Sequence, residues 1–544
     1  MTMLIFKYLL QTTGDKIMNN TMKRKKLIIN ALILTLTTVT LGFVNTSFRV
    51  YLSNKIGAEG MGLYQLIMSI HIMTSTLAIS GIRVTTTRLI AEELGRGNTL
   101  KIKSIMRKAF VYSLFFSLIT AFALYQGADF IAINWIEDKR AILPLKILSC
   151  SLPFVGVGAC FHGYFYGMRK VVKSISTDII EVSTLMIVIS TFLSAYLPRG
   201  LGYTCALISV GITLALIAST IACYILYLFE KKSGYANSYR DKNSYSLLTV
   251  SKIAFPIACS AYIQTGLKTV EDILIPDALR RFGSSTSVSL STFGMIKGMV
   301  LPILYFPSIF LASFSTLIIP EISEAKALKQ TKRVNNIIAK VFKFTLLIAI
   351  FASGLFIIYS KELGLHIYNN TEVGFMMRIL APLIPFMYLD RVVDGSLNAL
   401  DQQMSTLRYN LIDMGVRIIL ILFLIPKYGV TGFILVLFAG TLLNSLLSIN
   451  RLLKVTKLDF LLGDWILKPA FCVTVASYIV KLTFDYLQIT TMIIPQIILV
   501  VLLYLVLLII IRCIKKTDIM WFLDAFKNDI KSEKISDLGI TKRF

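Results

Sequence analysis

The sequence predicts an all-α polytopic membrane protein with 14 transmembrane helices. Apolar residues occupy 56% of the 544 positions, charged residues only 16%, and the mean hydropathy is +0.73. A soluble protein of this size could not bury so much apolar surface. The apolar runs are continuous rather than alternating, which favours helices over the strands of a membrane barrel, because a helix satisfies its own backbone hydrogen bonds in lipid.

Apolar runs of about 20 residues or more, long enough to cross roughly 30 Å of hydrocarbon, recur along the whole chain. We predict fourteen spans, at approximately 27–53, 61–87, 104–128, 142–168, 174–197, 202–229, 250–276, 291–319, 337–360, 374–399, 406–426, 429–450, 464–487 and 491–511. Residues 1–26 are predicted to be a cytoplasmic segment, with the translation start left open between Met1 and Met22. Residues 515–544 are predicted to form a cytoplasmic amphipathic tail on the inner membrane surface.

The distribution of positive charge predicts the orientation. With the amino terminus in the cytoplasm, the inner segments carry 28 lysines and arginines and the outer loops carry 8. Such an excess marks cytoplasmic loops, so both termini are predicted to be cytoplasmic. The formal charge of +26 could suggest nucleic acid, but the basic residues lie in short loops between apolar runs. We therefore predict membrane lipids as partners, and no nucleic acid.

Two pairs of segments indicate an internal duplication. Pro198–Gly200 resembles Pro426–Tyr428 at an offset of 228, and Thr87–Glu92 resembles Thr316–Glu321 at an offset of 229. Six spans per repeat is an even number, so both repeats insert in the same orientation and a pseudo-twofold axis runs along the membrane normal. The predicted domains are an N-lobe at 27–232, a C-lobe at 249–456 and two extra C-terminal helices at 462–514.

Cations within the spans are candidate substrate-binding residues, because an ionisable group inside a membrane costs roughly 2.5–3.5 kcal/mol on insertion scales. Arg83 on span two lies deeper than Arg88 by about 7 Å at 1.5 Å per residue. Arg49 and Lys297 lie near outer ends of their spans, where they could line a cavity or reach the interface. Span two also carries a polar or small stripe, which either packs against another helix or lines a cavity: His71, Thr74, Ala78, Gly81, Thr85, Arg88 and Glu92.

The second half of the chain carries mixed-charge stripes. Span seven presents Gln264, Lys268, Glu271 and Asp272, which could neutralise one another within the helix, and span ten repeats the idea with Asp390, Arg391, Asp394 and Asn398. On span eleven, Asp413 could pair with Arg417 or, with Asn410 and a facing Thr441, hold a sodium ion or a proton. The candidate ion-coupling residues are Glu271, Asp272, Asp394, Asn410, Asp413 and Thr441.

The sequence contains no catalytic constellation. It has three histidines, no HExxH, no glycine-rich phosphate loop ending in Gly-Lys and no Asp-x-Asp motif. The seven cysteines lie in or beside apolar runs without CxxC spacing and are interpreted as small core residues. We therefore predict that the protein is not an enzyme and has no metal site or cofactor beyond a coupling Na⁺ or H⁺.

Four segments carry a family resemblance: Leu41–Asn45, Asn54–Gln65, Arg88–Glu93 and Asp394–Leu400. The first three resemble the opening of the stage V sporulation protein B family, within the superfamily of multidrug, oligosaccharidyl-lipid and polysaccharide exporters. The last resembles the tenth span of that family.

The resemblance implies a flippase of the bacterial cytoplasmic membrane that moves an undecaprenyl-pyrophosphate-linked sugar, such as lipid II or a spore-cortex precursor, by alternating access. It also implies that cavity cations hold the pyrophosphate, a role that suits the bidentate guanidinium chemistry of arginine and the candidates Arg49, Arg83, Arg88 and Lys297. Lipid II flippases carry an arginine pair higher on span two, where this chain has residues 71–74.

Two other functions stay open at this stage. An ion-coupled exporter of organic cations would share the fold but would need an anionic, aromatic-lined cavity. A non-transporting membrane scaffold would recruit cell-wall synthesis enzymes as partners. A polytopic glycosyltransferase is disfavoured, because the Asp-x-Asp motif is missing and histidines are sparse.

Overall fold

The structure is a computed structural model that describes residues 2–97, 99–234, 246–456, 463–487 and 493–514. Side chains are described from residue 36 onward, apart from those of residues 99–100, 231–234, 312–317 and 320 within these ranges. The described residues form helices and short connections, with no strand among them. The predicted cytoplasmic tail at 515–544 lies outside the described residues.

Helices follow one another closely along both halves of the chain. The first half contains α1 (Thr2–Ile79), α2 (Ile82–Gly95), α3 (Thr99–Phe130), α4 (Ile142–Ser149), α5 (Leu152–Gly167), α6 (Val171–Tyr196) and α7 (Leu201–Gly234). The second half contains α8 (Leu247–Arg281), α9 (Thr286–Phe293), α10 (Leu301–Tyr305), α11 (Ser308–Ala327), α12 (Thr331–Ile358), α13 (Ser360–Tyr368), α14 (Thr371–Leu380), α15 (Ile384–Ala399) and α16 (Gln403–Thr456). Two further helices, α17 (Lys468–Tyr486) and α18 (Ile493–Ile510), end the described chain.

Short helices of other types complete the described elements. Three 3₁₀ turns occur, at Lys139–Ala141, Leu197–Arg199 and Ala381–Leu383. Three π-helical segments occur, at Ile131–Ile136, Gly294–Val300 and Gly463–Leu467. The last of them runs directly into α17, and Gly294–Val300 joins α9 to α10.

Two of the helices are too long to cross a membrane once. Helix α1 has 78 residues and α16 has 54, whereas about 20 residues cross the hydrocarbon layer. Each contains one glycine with non-helical backbone, Gly57 (φ 71°) in α1 and Gly429 (φ 56°) in α16. Eleven helices pass as candidate spans, or twelve if the bent pair α4–α5 is one span. The predicted number of fourteen requires dividing both long helices at these glycines and stays a prediction.

The breaks between helices recur in the two halves. Left-handed backbone conformations occur in pairs 226–232 residues apart, at Gly57 and Gly283, Gly97 and Lys329, Glu137 and Asn369, Arg169 and Asp401, and Gly200 and Gly429. Asp138 follows Glu137 and Asn370 follows Asn369, and each caps the next helix. Their side chains accept hydrogen bonds from the backbone N–H groups two residues ahead. This periodicity supports the predicted duplication.

A close helix crossing joins the two halves near the α1 bend. A Cβ atom added to Gly62 would lie 2.0 Å from the carbonyl oxygen of Leu290, and one added to Gly294 would lie 2.3 Å from the backbone nitrogen of Gly62. Only residues without a side chain allow two backbones to approach this closely.

Polar contacts close the same end of the molecule. The Glu59 carboxylate accepts a hydrogen bond from Ser287 Oγ at 2.6 Å and pairs with Arg140 at 2.8 Å. Arg280 pairs with Glu137 at 3.0 Å. The Glu59–Ser287 and Arg280–Glu137 contacts join residues of the predicted N-lobe to residues of the predicted C-lobe, on the side where charge distribution predicts the outer face.

The halves also meet where α1 ends. The Ser80 hydroxyl lies 2.7 Å from the Tyr262 hydroxyl of α8 and 3.0 Å from the Tyr112 hydroxyl of α3. A Cβ atom added to Gly81 would lie 2.5 Å from the carbonyl oxygen of Ala254. The two-residue break at Ser80 and Gly81 therefore presses against α8, and α2 begins directly after it.

The two C-terminal helices pack on the outside of α12. A Cβ atom added to Gly354 of α12 would lie 2.6 Å from a methyl group of Val473 on α17. The Tyr504 hydroxyl of α18 donates to the carbonyl oxygen of Leu347 at 3.0 Å. Both helices are thus attached to the second half of the chain, and the predicted division at 462–514 stays a prediction.

Candidate functional site

The stripe on span two faces protein. His71, Thr74, Ala78 and Thr85 are all buried, with exposed fractions of 5%, 9%, 0% and 0%. Of the two interpretations of the stripe, close helix packing therefore applies to these residues, and cavity lining does not.

Arg83 lies off this stripe and is exposed. Its guanidinium carbon sits 5.3 Å from the centre of the Tyr166 ring of α5. It forms no ion pair within the described part of the chain, although its charge acts on His162 and Asp178. A cation that is exposed within a span and has no acidic partner is available to an anionic ligand.

The other two N-lobe cations differ from Arg83. Arg88 pairs with Glu92 one turn further along α2 at 2.8 Å, and both side chains are well exposed. Arg49 is half-buried, and its charge acts on Tyr64 and Tyr368 rather than on the groups near Arg83. The structure thus does not bring the predicted cations into one cluster.

Lys297 is buried between two carboxylates of α8. Its Nζ lies 2.9 Å from Glu271 Oε1 and 3.2 Å from Asp272 Oδ1, and its side chain is 15% exposed. Asp272 also accepts a hydrogen bond from Ser69 of α1 at 3.0 Å. The sequence left open whether Lys297 lines a cavity or reaches the interface, and in the structure its charge is neutralised within the helix assembly.

The same contacts correct the expected pairing on span seven. Self-neutralisation by Lys268 is not observed, since Glu271 and Asp272 pair with Lys297 on the next span instead. Lys268 is exposed and forms no ion pair among the described residues. It lies well inside the 35-residue helix α8, where an exposed ammonium group is tolerated facing water rather than lipid.

Span eleven shows the structural pair that the sequence left as one of two alternatives. Arg417 Nε donates to both carboxylate oxygens of Asp413, at 3.0 and 2.9 Å, and both side chains are largely buried. The guanidinium crosses Gly440 of the same helix α16, where a Cβ atom would lie 2.2 Å from Arg417 Nε. The Thr441 hydroxyl makes no hydrogen bond within the described residues.

Two carboxylates of α15 stand apart from these ion pairs. Both carboxylate oxygens of Asp390 accept a hydrogen bond from Asn444 Nδ2, at 3.0 Å each. Asp394 accepts a hydrogen bond from Ser448 Oγ at 3.4 Å, and the Asn410 side chain lies near it. The expected in-helix pairing with Arg391 is absent here, since Arg391 is exposed and donates to Ser308 Oγ at 3.2 Å. Only neutral groups hydrogen-bond these two carboxylates in the described chain.

Sequence reasoning missed three residues of interest. Lys268 and Arg391 were assigned to self-neutralising stripes, yet both are exposed cations. The available signal was that each stripe holds two acids for one base, so another helix could supply the partner. Tyr166 has no sequence signal, because its role depends on where α5 packs. Among the described residues, no group of three or more His, Cys, Asp or Glu side chains could hold a metal ion.

These sites lie in a fold that is known from solved membrane transporters. The chain resembles the lipid II flippase MurJ in an inward closed conformation, with a TM-score of 0.66, 18% identity, and coverage of 88% of this chain and 99% of that one. It also resembles an inward-facing MATE family multidrug resistance transporter, with a TM-score of 0.60, 13% identity, and coverage of 79% and 99%. The protein therefore has the polytopic helical fold of these solved transporters.

Comparison of the sequence with known proteins finds one family model and several relatives that it resembles. Residues 25–275 match the family described as polysaccharide biosynthesis protein. The chain is 24% identical over 438 residues to stage V sporulation protein B of Bacillus subtilis, covering 80% of this chain and 84% of the relative. It is 23% identical over 345 residues to sporulation protein YkvU of the same organism, covering 62% and 74%. The chain is similar to these sporulation proteins, and the predicted resemblance to the stage V sporulation protein B family is confirmed.

Proposed function

We propose that the protein is a flippase that moves an undecaprenyl-pyrophosphate-linked sugar, lipid II or a related precursor of cell wall or spore cortex, across the bacterial cytoplasmic membrane. The anionic pyrophosphate binds cations between the lobes while the prenyl chain stays in lipid. The flippase and sporulation relatives support this choice of substrate.

The observation that carries the proposal is the state of Arg83. It is exposed within the membrane-spanning region and lacks an ion pair in the described chain, whereas the buried basic groups Lys297 and Arg417 are neutralised. An unpaired charge within a span costs free energy to insert into the membrane, so such a residue is a functional candidate. A guanidinium binds a phosphate through two parallel hydrogen bonds, so Arg83 suits the pyrophosphate group.

The exposed charges count against the organic-cation exporter. Such an exporter needs accessible carboxylates without cations beside them. Arg83, Lys268 and Arg391 are accessible cations, and the accessible Asp178 carboxylate lies within the influence of the Arg83 charge. Glu271, Asp272 and Asp413, the most buried acids of the C-lobe, are already paired with cations. The non-transporting scaffold is separated from the flippase by the reconstitution experiment below.

The contacts between the lobes support transport by alternating access. Glu59, Ser287, Arg280 and Glu137 close the predicted outer end. These are ion pairs and hydrogen bonds at the ends of helices, which can exchange for water at modest cost. Opening this end would give a headgroup held at the cations a route to the outer side.

We further propose that a sodium ion or proton couples to transport in the C-lobe. Of the predicted ion-coupling residues, Asp394 and Asn410 lie near each other, and Asp394 forms no ion pair among the described residues. Asp390 lies one helical turn before Asp394 on the same helix. A carboxylate with only neutral partners can accept Na⁺ or H⁺, whereas Glu271, Asp272 and Asp413 would have to release Lys297 or Arg417 first.

The central experiment reconstitutes the purified protein in liposomes and measures flipping and binding of lipid II and undecaprenyl diphosphate. Arg83→Ala is expected to weaken binding by about tenfold or more, since hydrogen bonds to charged groups contribute about 1.5–3 kcal/mol. Arg88→Ala is the matched control, because Arg88 is already paired with Glu92 on the same helix. Undiminished binding by a well-folded Arg83→Ala protein would contradict the proposal, and absence of flipping in the unaltered protein would favour the scaffold.

The coupling proposal is tested by the same assay with and without a sodium gradient and a pH gradient. Asp394→Asn is expected to abolish the dependence on the coupling gradient while headgroup binding persists. Asp401→Asn serves as the control, because Asp401 is exposed and pairs with Lys326. If flipping by the Asp394→Asn protein still depends on the sodium or pH gradient, Asp394 is not the coupling residue.

A further inference from the structure

Arg83 needs a neighbour that holds its side chain in place. An exposed arginine has many rotamers, and ordering it on binding costs conformational entropy. No ion pair fixes its guanidinium in the described structure. The other groups that surround Arg83 therefore determine how far its side-chain conformation is restricted before a ligand binds.

The backbones of α2 and α5 are locked together at Arg83. A Cβ atom added to Gly163 would lie 2.7 Å from the carbonyl oxygen of Arg83, and one added to Gly167 would lie 2.8 Å from Ile90 Cβ. Thr87 Oγ1 donates to the carbonyl oxygen of Gly163 at 3.2 Å. Glycines four residues apart on one helix allow this close crossing, which fixes the position of residue 166 relative to residue 83.

Tyr166 lies between these two glycines, and the Arg83 guanidinium lies over the face of its ring, at 5.3 Å from ring centre to Cζ. The face of an aromatic ring attracts a guanidinium without accepting its N–H groups as a carboxylate would. The contact with Tyr166 therefore leaves the N–H groups of Arg83 available to a phosphate, while it restricts the rotamers of the side chain.

The other charged or titratable groups near Arg83 do not fix it. His162 donates to or accepts from Ser174 Oγ at 2.6 Å, so its ring is oriented toward α6. Asp178 lies 3.9 Å from His162 Nε2 and acts on Arg83 only at longer range.

We propose that Tyr166 is a positioning residue that holds the Arg83 guanidinium for the diphosphate group of the substrate. This inference rests on the proposed function, since Arg83 must first be the residue that binds the headgroup. It adds that the ring of Tyr166 holds the guanidinium of Arg83, whose N–H groups bind the ligand. Removal of the ring lowers affinity without removing any group that touches the phosphate.

The test measures the apparent Kd of the full-length purified protein for undecaprenyl diphosphate in detergent. Tyr166→Leu is expected to weaken binding by roughly 2- to 30-fold, the range that a cation–π contact provides. Tyr166→Phe keeps the ring and is expected to bind as tightly as the unaltered protein. The matched control is Tyr196→Leu, because Arg199 lies over the Tyr196 ring at 5.0 Å where α6 ends, at the opposite end of that helix from Arg83. This control should leave Kd unchanged.

A double-mutant cycle separates positioning from a general structural effect. In an Arg83→Ala background, Tyr166→Leu should cause no further loss, and thermal melting of every variant shows whether it folds. If Tyr166→Leu fails to fold, Tyr166→Met replaces it. An equal loss in both backgrounds would overturn the inference, as would unchanged binding by Tyr166→Leu while Arg83→Ala is impaired. Unchanged binding by Arg83→Ala would instead overturn the proposed headgroup role itself.

Discussion

In the N-lobe Arg83 is exposed and unpaired within the described chain, whereas in the C-lobe Lys297 is buried between Glu271 and Asp272. The two halves share their pattern of helix breaks but use charge differently. A buried, paired charge holds helices together and is unavailable to a ligand. An exposed charge contributes little to the fold and remains available. Charge within a span therefore indicates function only when its partners are known.

The largest expected effect comes from breaking the C-lobe pair. Lys297→Ala leaves two carboxylates buried without a counter-charge, and removal of one partner of a buried pair costs about 3–5 kcal/mol. We expect a large loss of thermal stability in detergent. Arg88→Ala is the control, because its exposed pair with Glu92 contributes about 1 kcal/mol or less. Equal melting temperatures for the two variants would contradict the contrast between the lobes.

A smaller effect is expected from the helix crossing that supports the N-lobe cation. Gly163→Val places a side chain against the Arg83 carbonyl oxygen, where even a Cβ atom would lie at 2.7 Å. Overpacking of this kind costs typically about 1–3 kcal/mol, so thermal stability and headgroup binding should both fall. Gly266→Ala provides the comparison, since a Cβ atom there meets nothing within 4 Å. Its melting temperature should be unchanged or slightly higher.

The smallest expected effect concerns the exposed C-lobe cation. Lys268→Gln removes a charge without leaving any carboxylate unpaired, because Glu271 and Asp272 retain Lys297. Stability should change by less than about 1 kcal/mol, and diphosphate affinity should fall less than in Arg83→Ala. A loss of affinity equal to that of Arg83→Ala would show that both lobes hold the headgroup and would weaken the division drawn here.

Much of the fold could be predicted because hydropathy and charge distribution are local properties. The predicted boundary near residues 426–429 coincides with the non-helical Gly429 in α16, and the predicted gap at 54–60 contains Gly57. Residues 1–26, predicted as a separate segment, continue helix α1 back to Thr2. Helix ends depend on local sequence, whereas the number of crossings depends on how each long helix bends.

The pairing of charges could not be predicted in the same way. Asp413 and Arg417 are four residues apart on one helix, so helical periodicity suffices to propose their pair. Glu271 and Lys297 are 26 residues apart on different helices, and periodicity within α8 favoured Lys268 instead. The same limit hid Tyr166, which meets Arg83 only because two glycines of α5 let the helices touch.

The sequence by itself determined that this chain crosses the membrane many times, that basic loops mark one side of it, that its halves are related, and that polar groups lie within its spans. Only the tertiary structure decided which of those groups are neutralised and which remain free. The physical reason is that the cost of placing a residue in lipid depends on the residue and its neighbours along the helix. The availability of its charge depends on the helices that pack beside it.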